Sequence, residues 1–102
     1  MANAKHRSRA VKIATAKCRS LEETAEWIRA AFEETLKRRG VRTHRFATRL
    51  GVHRDTAHDW KSGATPVNVA QVLRDDEFAK DFLRCLHIIR MRVMKSERRG
   101  RK

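Results

Sequence analysis

The sequence has few cysteines and no long apolar segment. Its two cysteines, Cys18 and Cys85, lie far apart in a chain of 102 residues that is rich in lysine and arginine. This excludes the disulfide framework of a small secreted domain and favours free thiols in a reducing cytosol. No apolar run approaches the ~20 residues of a membrane-spanning helix, and the first residues lack the apolar core of a signal peptide. We therefore expect a cytoplasmic protein with no membrane association.

The residue patterns that support catalysis or metal binding are also missing. No glycine-rich phosphate loop follows a strand, and no paired carboxylates share an apolar setting. His53, His58, Cys85 and His87 do not form a set of four ligands at zinc-finger spacing. A chain of this length can bury one modest core but not an enclosed cleft as well. We expect no enzymatic activity, no metal or cofactor and no small-molecule ligand.

Acidic residues are outnumbered: 12 Asp and Glu stand against 25 Lys and Arg, which gives a net charge of +13. Residues 1–20 carry six bases and no acid, and residues 95–102 carry five bases and one acid. Ten of the thirteen excess charges therefore lie near the two ends. Such a balance predicts a polyanionic partner. Aromatic residues make up only 6%, with no tyrosine, which argues against stacking on single-stranded nucleic acid.

A long first helix is predicted over residues 21–39. Ser20 and Glu23 are spaced as a capping box, and Leu21, Phe32 and three further residues form one apolar stripe at helical spacing. Gly40 is a natural stop.

Four more helices follow the same periodicity, and no strand pattern is present. Thr43 is the predicted cap of the second helix, and the pair Thr65-Pro66 is predicted to open the fourth. The predicted ranges are 44–50, 54–61, 67–73 and 77–95. The fold class is therefore all-α: a compact five-helix bundle over residues 20–95, with basic disordered tails over 1–19 and 96–102.

The second and third helices are short and joined by a tight turn, as in a helix-turn-helix over residues 43–62. Such helices cross steeply. Ala47 is the small residue that the crossing requires, and Gly51 tolerates the positive φ of the turn. Val52, Ala57 and Trp60 are the apolar residues that hold the third helix in place.

This segment resembles the helix-turn-helix of phage repressor and Cro proteins and of the xenobiotic-response-element class of bacterial regulators. The resemblance is strongest over residues 43–63. The residues in register with the family pattern are Phe46-Ala47, Leu50-Gly51-Val52, Thr56-Ala57, Trp60 and Gly63. Two positions depart from it: Ala57 replaces the usual Ile or Val, and His53 replaces the usual Ser, which is expected to cost a strong helix cap.

The resemblance implies that the helix from Arg54 to Lys61 lies in the major groove of DNA, with its first residues toward the base edges. Arg54 is the expected bidentate contact to guanine. Either Asp55 or Asp59 would accept from a cytosine amine or brace Arg54. The implied base contacts are His53, Arg54, Asp55, His58 and Asp59.

The same resemblance places cations and a helix N-terminus on the DNA backbone. Residues 37–61 hold eight bases and two acids, which concentrates positive charge around the implied DNA face. The expected phosphate contacts are Arg42, Thr43, His44, Arg45, Arg49 and Lys61, together with Lys5, Arg7 and Arg9 of the N-terminal arm.

The fifth helix has a broad apolar face with two interpretations. It packs back on the first helix of the same chain, or it pairs two subunits of a homodimer through Phe82, Leu86, Ile89 and Val93. We expect the homodimer because one helix-turn-helix reads only a few base pairs.

The expected function is sequence-specific binding of double-stranded DNA as a transcriptional regulator of bacterial or phage type, with repression expected ahead of activation. Two alternatives stay open. One is a general nucleic-acid-binding protein, either RNA-binding or nucleoid-associated. The other is a small adaptor, such as an antitoxin, that acts through a protein partner.

Overall fold

Five helices and no strand make up residues 18–100, the part of the chain that the computed structural model describes. The helices are α1 Leu21–Arg39, α2 Thr43–Leu50, α3 Arg54–Ser62, α4 Val69–Val72 and α5 Asp76–Gly100. Helix α1 packs along α5, α2 packs on α3, and α3 packs on α1. The predicted all-α, five-helix fold is confirmed. Within residues 18–100, no helix combines the length and apolar character that crossing a bilayer requires.

The ring of Phe32, on α1, lies at the centre of the core and is fully buried. Its centroid lies 5.3 Å from that of Phe46 on α2, 5.9 Å from Trp60 on α3 and 5.9 Å from Phe78 on α5. Each such aromatic pair adds about 0.5–1.5 kcal/mol beyond the area it buries. Because four helices meet at this ring, its packing fixes α2 and α3 against the long α1–α5 pair. Trp60 is a core residue, as predicted from the sequence.

The bounds of α1 match the prediction, but the side-chain contacts at its N-terminus and its buried face differ from the prediction. Ser20 Oγ accepts a hydrogen bond from the Glu23 amide at 3.1 Å, as expected for a cap. The Glu23 carboxylate, however, accepts from Arg19 at 2.7 Å. Leu21 is 84% exposed, contrary to the predicted stripe, whereas Trp27 is buried. The buried face is wider than one stripe because α3 and α5 both pack on α1.

Two predicted caps are wrong. Thr43 lies inside α2 and is buried, and the residue before it, Arg42, takes the cap position without a side-chain hydrogen bond. Thr65-Pro66 lies in the connection between α3 and α4, with Thr65 in a bend, because α4 begins later, where Asn68 Oδ1 accepts from the amide of Gln71 at 3.3 Å. A proline is tolerated in such a connection as well as in a first helical turn.

Helix α5 begins one residue earlier than predicted and continues to Gly100, beyond the predicted end at Lys95. The predicted C-terminal tail is therefore helical up to that glycine. Phe82 is fully buried in the core of a single chain, which removes it from the predicted dimer interface. Leu86 and Ile89 are partly buried and pack on the same core. Helix α5 thus takes the intramolecular packing that the sequence left open.

Candidate nucleic-acid interface

The turn between α2 and α3 has the geometry that its sequence predicts. Gly51 has a φ of 71°, in the left-handed region. Its amide donates to the Ala47 and Thr48 carbonyls, and the Val52 amide donates to the Ala47 carbonyl at 3.0 Å. Ala47 and Ala57, at 1% and 0% exposure, are small enough for the two helices to pack closely. The turn therefore directs α3 across α2 and leaves one side of α3 uncovered.

The uncovered side of α3 carries most of the predicted base contacts. Successive residues of a helix are 100° apart, so the buried residues Ala57 and Trp60 define the inner side. The opposite side holds the set that we call the α3 outer face: Arg54, Asp55, His58, Asp59 and Ser62. All are exposed except Asp59, which is partly buried. Ser62 was not predicted, although its spacing of four from His58 places it on the same side.

Three side chains converge at the first turn of α3. His53 Nδ1 accepts a hydrogen bond from the Asp55 amide at 3.1 Å. The expected loss of a cap at this position is therefore wrong, because an imidazole nitrogen replaces the serine oxygen. Arg54 Nε lies 3.9 Å from Asp55 Oδ1, which is too long for a hydrogen bond. The arginine side chain is 75% exposed, so its guanidinium points into solvent without a close bond.

Helix α2 exposes a second row of polar side chains. Its buried residues are Thr43, Phe46, Ala47 and Leu50. The remaining positions are exposed, and we call them the α2 outer face: His44, Arg45, Thr48 and Arg49. Thr48 was missed by the sequence analysis, although it lies one turn after His44. Its hydroxyl donates to the His44 carbonyl at 3.0 Å.

A groove of about 430 Å³ joins the start of α2 to the end of α3 and the end of α1. It brings together five of the predicted DNA contacts: Arg42, Thr43, His44, His58 and Lys61. Lys37 adds a further cation, and its ammonium lies 3.6 Å from the Glu33 carboxylate, which also lines the groove. The groove thus holds several cations beside the N-terminus of α2, which is an arrangement that can bind an anion.

Arg29 on α1 attaches the end of α3 to the rest of the fold. Its guanidinium donates to the Lys61 carbonyl at 3.0 Å and pairs with the Glu26 carboxylate at 2.7 Å. The hydrogen bond from Arg29 lowers the pKa of Glu26, and the same bond raises the pKa of Arg29. The charged guanidinium is therefore bonded to one carbonyl in the last turn of α3.

Among the predicted phosphate contacts within residues 18–99, Arg49 differs from the others because it already has an anionic partner. Its Nε lies 2.9 Å from Oδ2 of Asp75, whose side chain is only 8% exposed. The neighbouring Arg74 donates to the Leu50 carbonyl at 3.0 Å. These contacts hold the end of α2 to the loop before α5.

No protein-family model, curated protein or solved structure matches this chain. The roles given to its residues therefore depend on the motif and on the geometry described above.

The predicted residues fall into three places. The α3 outer face and the first turn of α3 hold the predicted base contacts. The groove holds four of the predicted phosphate contacts: Arg42, Thr43, His44 and Lys61. Arg45 and Arg49 lie on the α2 outer face, and Arg45 has no carboxylate within ion-pairing distance among residues 18–99. The arm residues Lys5, Arg7 and Arg9 lie outside the described residues.

Proposed function

We propose that this protein binds double-stranded DNA with sequence preference, inserts α3 into the major groove and acts as a transcriptional regulator, most simply a repressor. The observation that carries the proposal is the α3 outer face. It is a solvent-facing row of donors and acceptors on a short helix that α2, α1 and the aromatic core hold rigidly. Action on a bacterial or phage genome would locate the protein in the cytoplasm, with the nucleoid.

The side chains of the α3 outer face are chemically suited to reading bases. Arg54 offers a forked pair of donors that matches the O6 and N7 acceptors of guanine. Asp55 and Asp59 offer only acceptors at neutral pH, which match the cytosine amine. Carboxylates are repelled by phosphate, so they weaken binding to every sequence. Their presence on this face therefore supports selective recognition over tight general binding.

The groove at the start of α2 supplies the complementary function of holding the DNA backbone. Arg42 and Lys61 lie at its edge with His44, and such contacts fix the register of a protein on the duplex without reading its sequence. A phosphate placed there would set α3 at a constant depth in the adjacent major groove. The groove would thus contact the DNA backbone, and the neighbouring α3 outer face would contact the bases.

A selection of bound sequences from random duplex DNA tests the proposal. It should be run with the full chain at about 150 mM salt, because low salt inflates binding that depends on charge alone. We expect an enriched motif of a few base pairs. Two inverted copies of the motif about one helical turn apart would indicate a dimer, and a single copy would indicate a monomer.

The opposite result is equally informative. If no motif is enriched and binding disappears as salt rises, the protein binds nucleic acid through its charge, and sequence-specific regulation is excluded. The concentration of excess charge near the two ends of the chain makes this general nucleic-acid-binding function the second candidate. A parallel titration with structured RNA then shows which nucleic acid it prefers.

A further inference from the structure

The outward side of α5 combines exposed apolar side chains with unpaired cations. Met91 is 43% exposed, and Ile88 beside it is partly buried. Both line a shallow groove of about 440 Å³, which we call the α5 groove. Its other lining residues are His87, Arg92, Lys95 and Arg98. Apolar and cationic groups thus share one open surface over about three turns of helix.

Helical geometry explains why this surface is left open. The 100° step between residues directs Met91 and Arg98 to nearly the same side of α5. Phe82 and Ile89 project from the opposite side of α5, which faces α1 and the hydrophobic core. Since the first helix covers only that inner side, nothing among residues 18–99 covers the α5 groove.

The cations of the groove lack the carboxylate partners that the cations of α1 have. On α1, Arg29 and Arg38 each have a carboxylate partner within one turn, at 2.7 and 3.2 Å. By contrast, no carboxylate of residues 18–99 lies within ion-pairing distance of Arg92, Lys95 or Arg98.

The two acids of α5 nearest to the groove are paired with other cations. Residues 80–99 hold seven Lys and Arg but only two acids, Asp81 and Glu97. Asp81 binds Arg39 on α1 at 2.8 Å, and Glu97 binds Arg19 at 2.6 Å. The α5 groove therefore keeps its positive charge in the folded chain.

We propose that the α5 groove is the docking site for an acidic amphipathic helix of a protein partner. The apolar side of such a helix would cover Met91 and Ile88, and carboxylates along its edges would pair with Arg92, Lys95 and Arg98. Helix-in-groove recognition of this kind uses anchors at spacings of three, four and seven residues, and opposite charges at the rim set the orientation and the choice of partner.

Charge distinguishes this occupant from a second copy of the chain. Two α5 grooves placed face to face would bring the same cations together, which opposes association. Four of the five acids of α1 in a second copy are already paired with cations of their own chain: Glu23, Glu26, Glu33 and Glu34. A second copy therefore offers no free acidic surface of the required kind on that helix.

The apolar side chains of the α5 groove favour an amphipathic helix over nucleic acid as the occupant. A phosphate backbone would pair with Lys95 and Arg98, but it gains nothing by covering Met91 and Ile88. Burying apolar area favours association, and a helix that carries both leucine and glutamate gains this contribution as well as the ion pairs.

The test measures the binding of a labelled synthetic helix to the full chain by fluorescence anisotropy, at about 150 mM salt. The probe has leucines at positions i, i+3, i+4 and i+7 with glutamates beside them. We expect Met91→Glu and Lys95→Glu each to weaken its binding at least about tenfold. Arg90→Glu is the matched control: it makes the same charge change as Lys95→Glu on the same helix, and Arg90 does not line the α5 groove. Its effect should stay within about threefold.

Three outcomes would overturn the proposal. The first is equal binding of a second probe in which serines replace the leucines, because that would be attraction by charge alone. The second is an equal loss for the control and for the two groove variants. The third is that Met91→Glu, shown to be folded by circular dichroism, weakens binding to duplex DNA or anionic vesicles and leaves the peptide unaffected. The proposal does not depend on a DNA sequence motif, so the random-DNA selection can fail while this test succeeds.

Discussion

Asp75 and Arg49 connect the end of α2 to the beginning of α5. Oδ2 of the carboxylate lies 2.9 Å from Arg49 Nε, and its Oδ1 accepts from the Phe78 amide at 3.2 Å. One nearly buried side chain therefore caps the long helix and holds the candidate DNA-binding unit. The guanidinium of Arg49 is still largely exposed, so a phosphate would share it with the carboxylate.

Replacing Asp75 separates its two roles. Asp75→Ala removes the cap and the ion pair, and we expect it to lower the free energy of unfolding by about 1–2 kcal/mol. Asp75→Asn keeps an oxygen that can accept from the Phe78 amide, so its loss should be smaller. Urea unfolding of the three proteins measures the difference. Equal losses for the two variants would show that the ion pair, and not the cap, is the stabilising contact.

The roles of Arg54 and Arg45 differ in how they depend on sequence. Arg54→Ala should cost about 1–3 kcal/mol on the preferred site and relax the preference at one base pair. Arg45→Ala should weaken all duplexes alike and reduce the slope of log K against log salt by about 0.9. Titrations of a selected and a scrambled duplex at several salt concentrations test both. Arg90→Ala, which removes a cation on α5 and away from this face, is the control and should change neither quantity.

A uniform loss across sequences for Arg54→Ala would contradict its role as a base contact. It would move this arginine into the same group as Arg45, whose expected effect is independent of sequence.

The sequence predicts the helices and the turn well because these depend on short-range rules. The spacing around Gly51 and the positions of Ala47 and Trp60 place the turn and the core side of α3 correctly. Contacts between distant segments are different. The pairs Arg49–Asp75 and Arg29–Lys61 join residues 26 and 32 positions apart, and no periodicity relates them. The sequence therefore predicts which residues face outward, but not which of them already have a partner.

The breadth of a buried face is also set by tertiary packing. Leu21 fits the apolar stripe of α1 but is exposed, because the buried part of the helix begins only at Trp27. Trp27 lies off the stripe and is buried, with the Arg19 guanidinium 5.3 Å from its ring centroid. Such an arrangement depends on where the neighbouring helices begin and end, which the pattern within one helix does not contain.

His53 combines a helix cap with a position beside the proposed base contacts, and substitutions can separate these roles. Ser is a strong cap, so His53→Ser should leave the free energy of unfolding within about 0.5 kcal/mol of the parent protein. His53→Ala lacks an acceptor and should lose about 1 kcal/mol. If the imidazole also reads DNA, both variants should weaken binding to the selected site equally. Chemical unfolding and duplex titration of the same samples provide the two readouts. Weakened binding in the alanine variant alone would mean that His53 acts on DNA only by holding the first turn of α3.

The backbone of Gly51 sets the angle at which α3 leaves α2, and a side chain there tests how closely binding depends on that angle. Its φ of 71° disfavours every residue with a Cβ, yet a Cβ at this position would meet no atom within 4 Å. The cost of Gly51→Ala is therefore conformational, about 1–2 kcal/mol, and Gly51→Asn should cost less because asparagine tolerates this region. Gly63→Ala provides the comparison: its φ is 87°, and the added Cβ would lie 3.2 Å from Arg29 Cδ, so it should lose more stability.

If Gly51→Ala folds with the expected loss but binds the selected duplex as the parent does, α3 keeps its direction without the glycine. A loss of DNA affinity larger than unfolding accounts for, rescued by Gly51→Asn, would mean that the turn positions the α3 outer face on the bases.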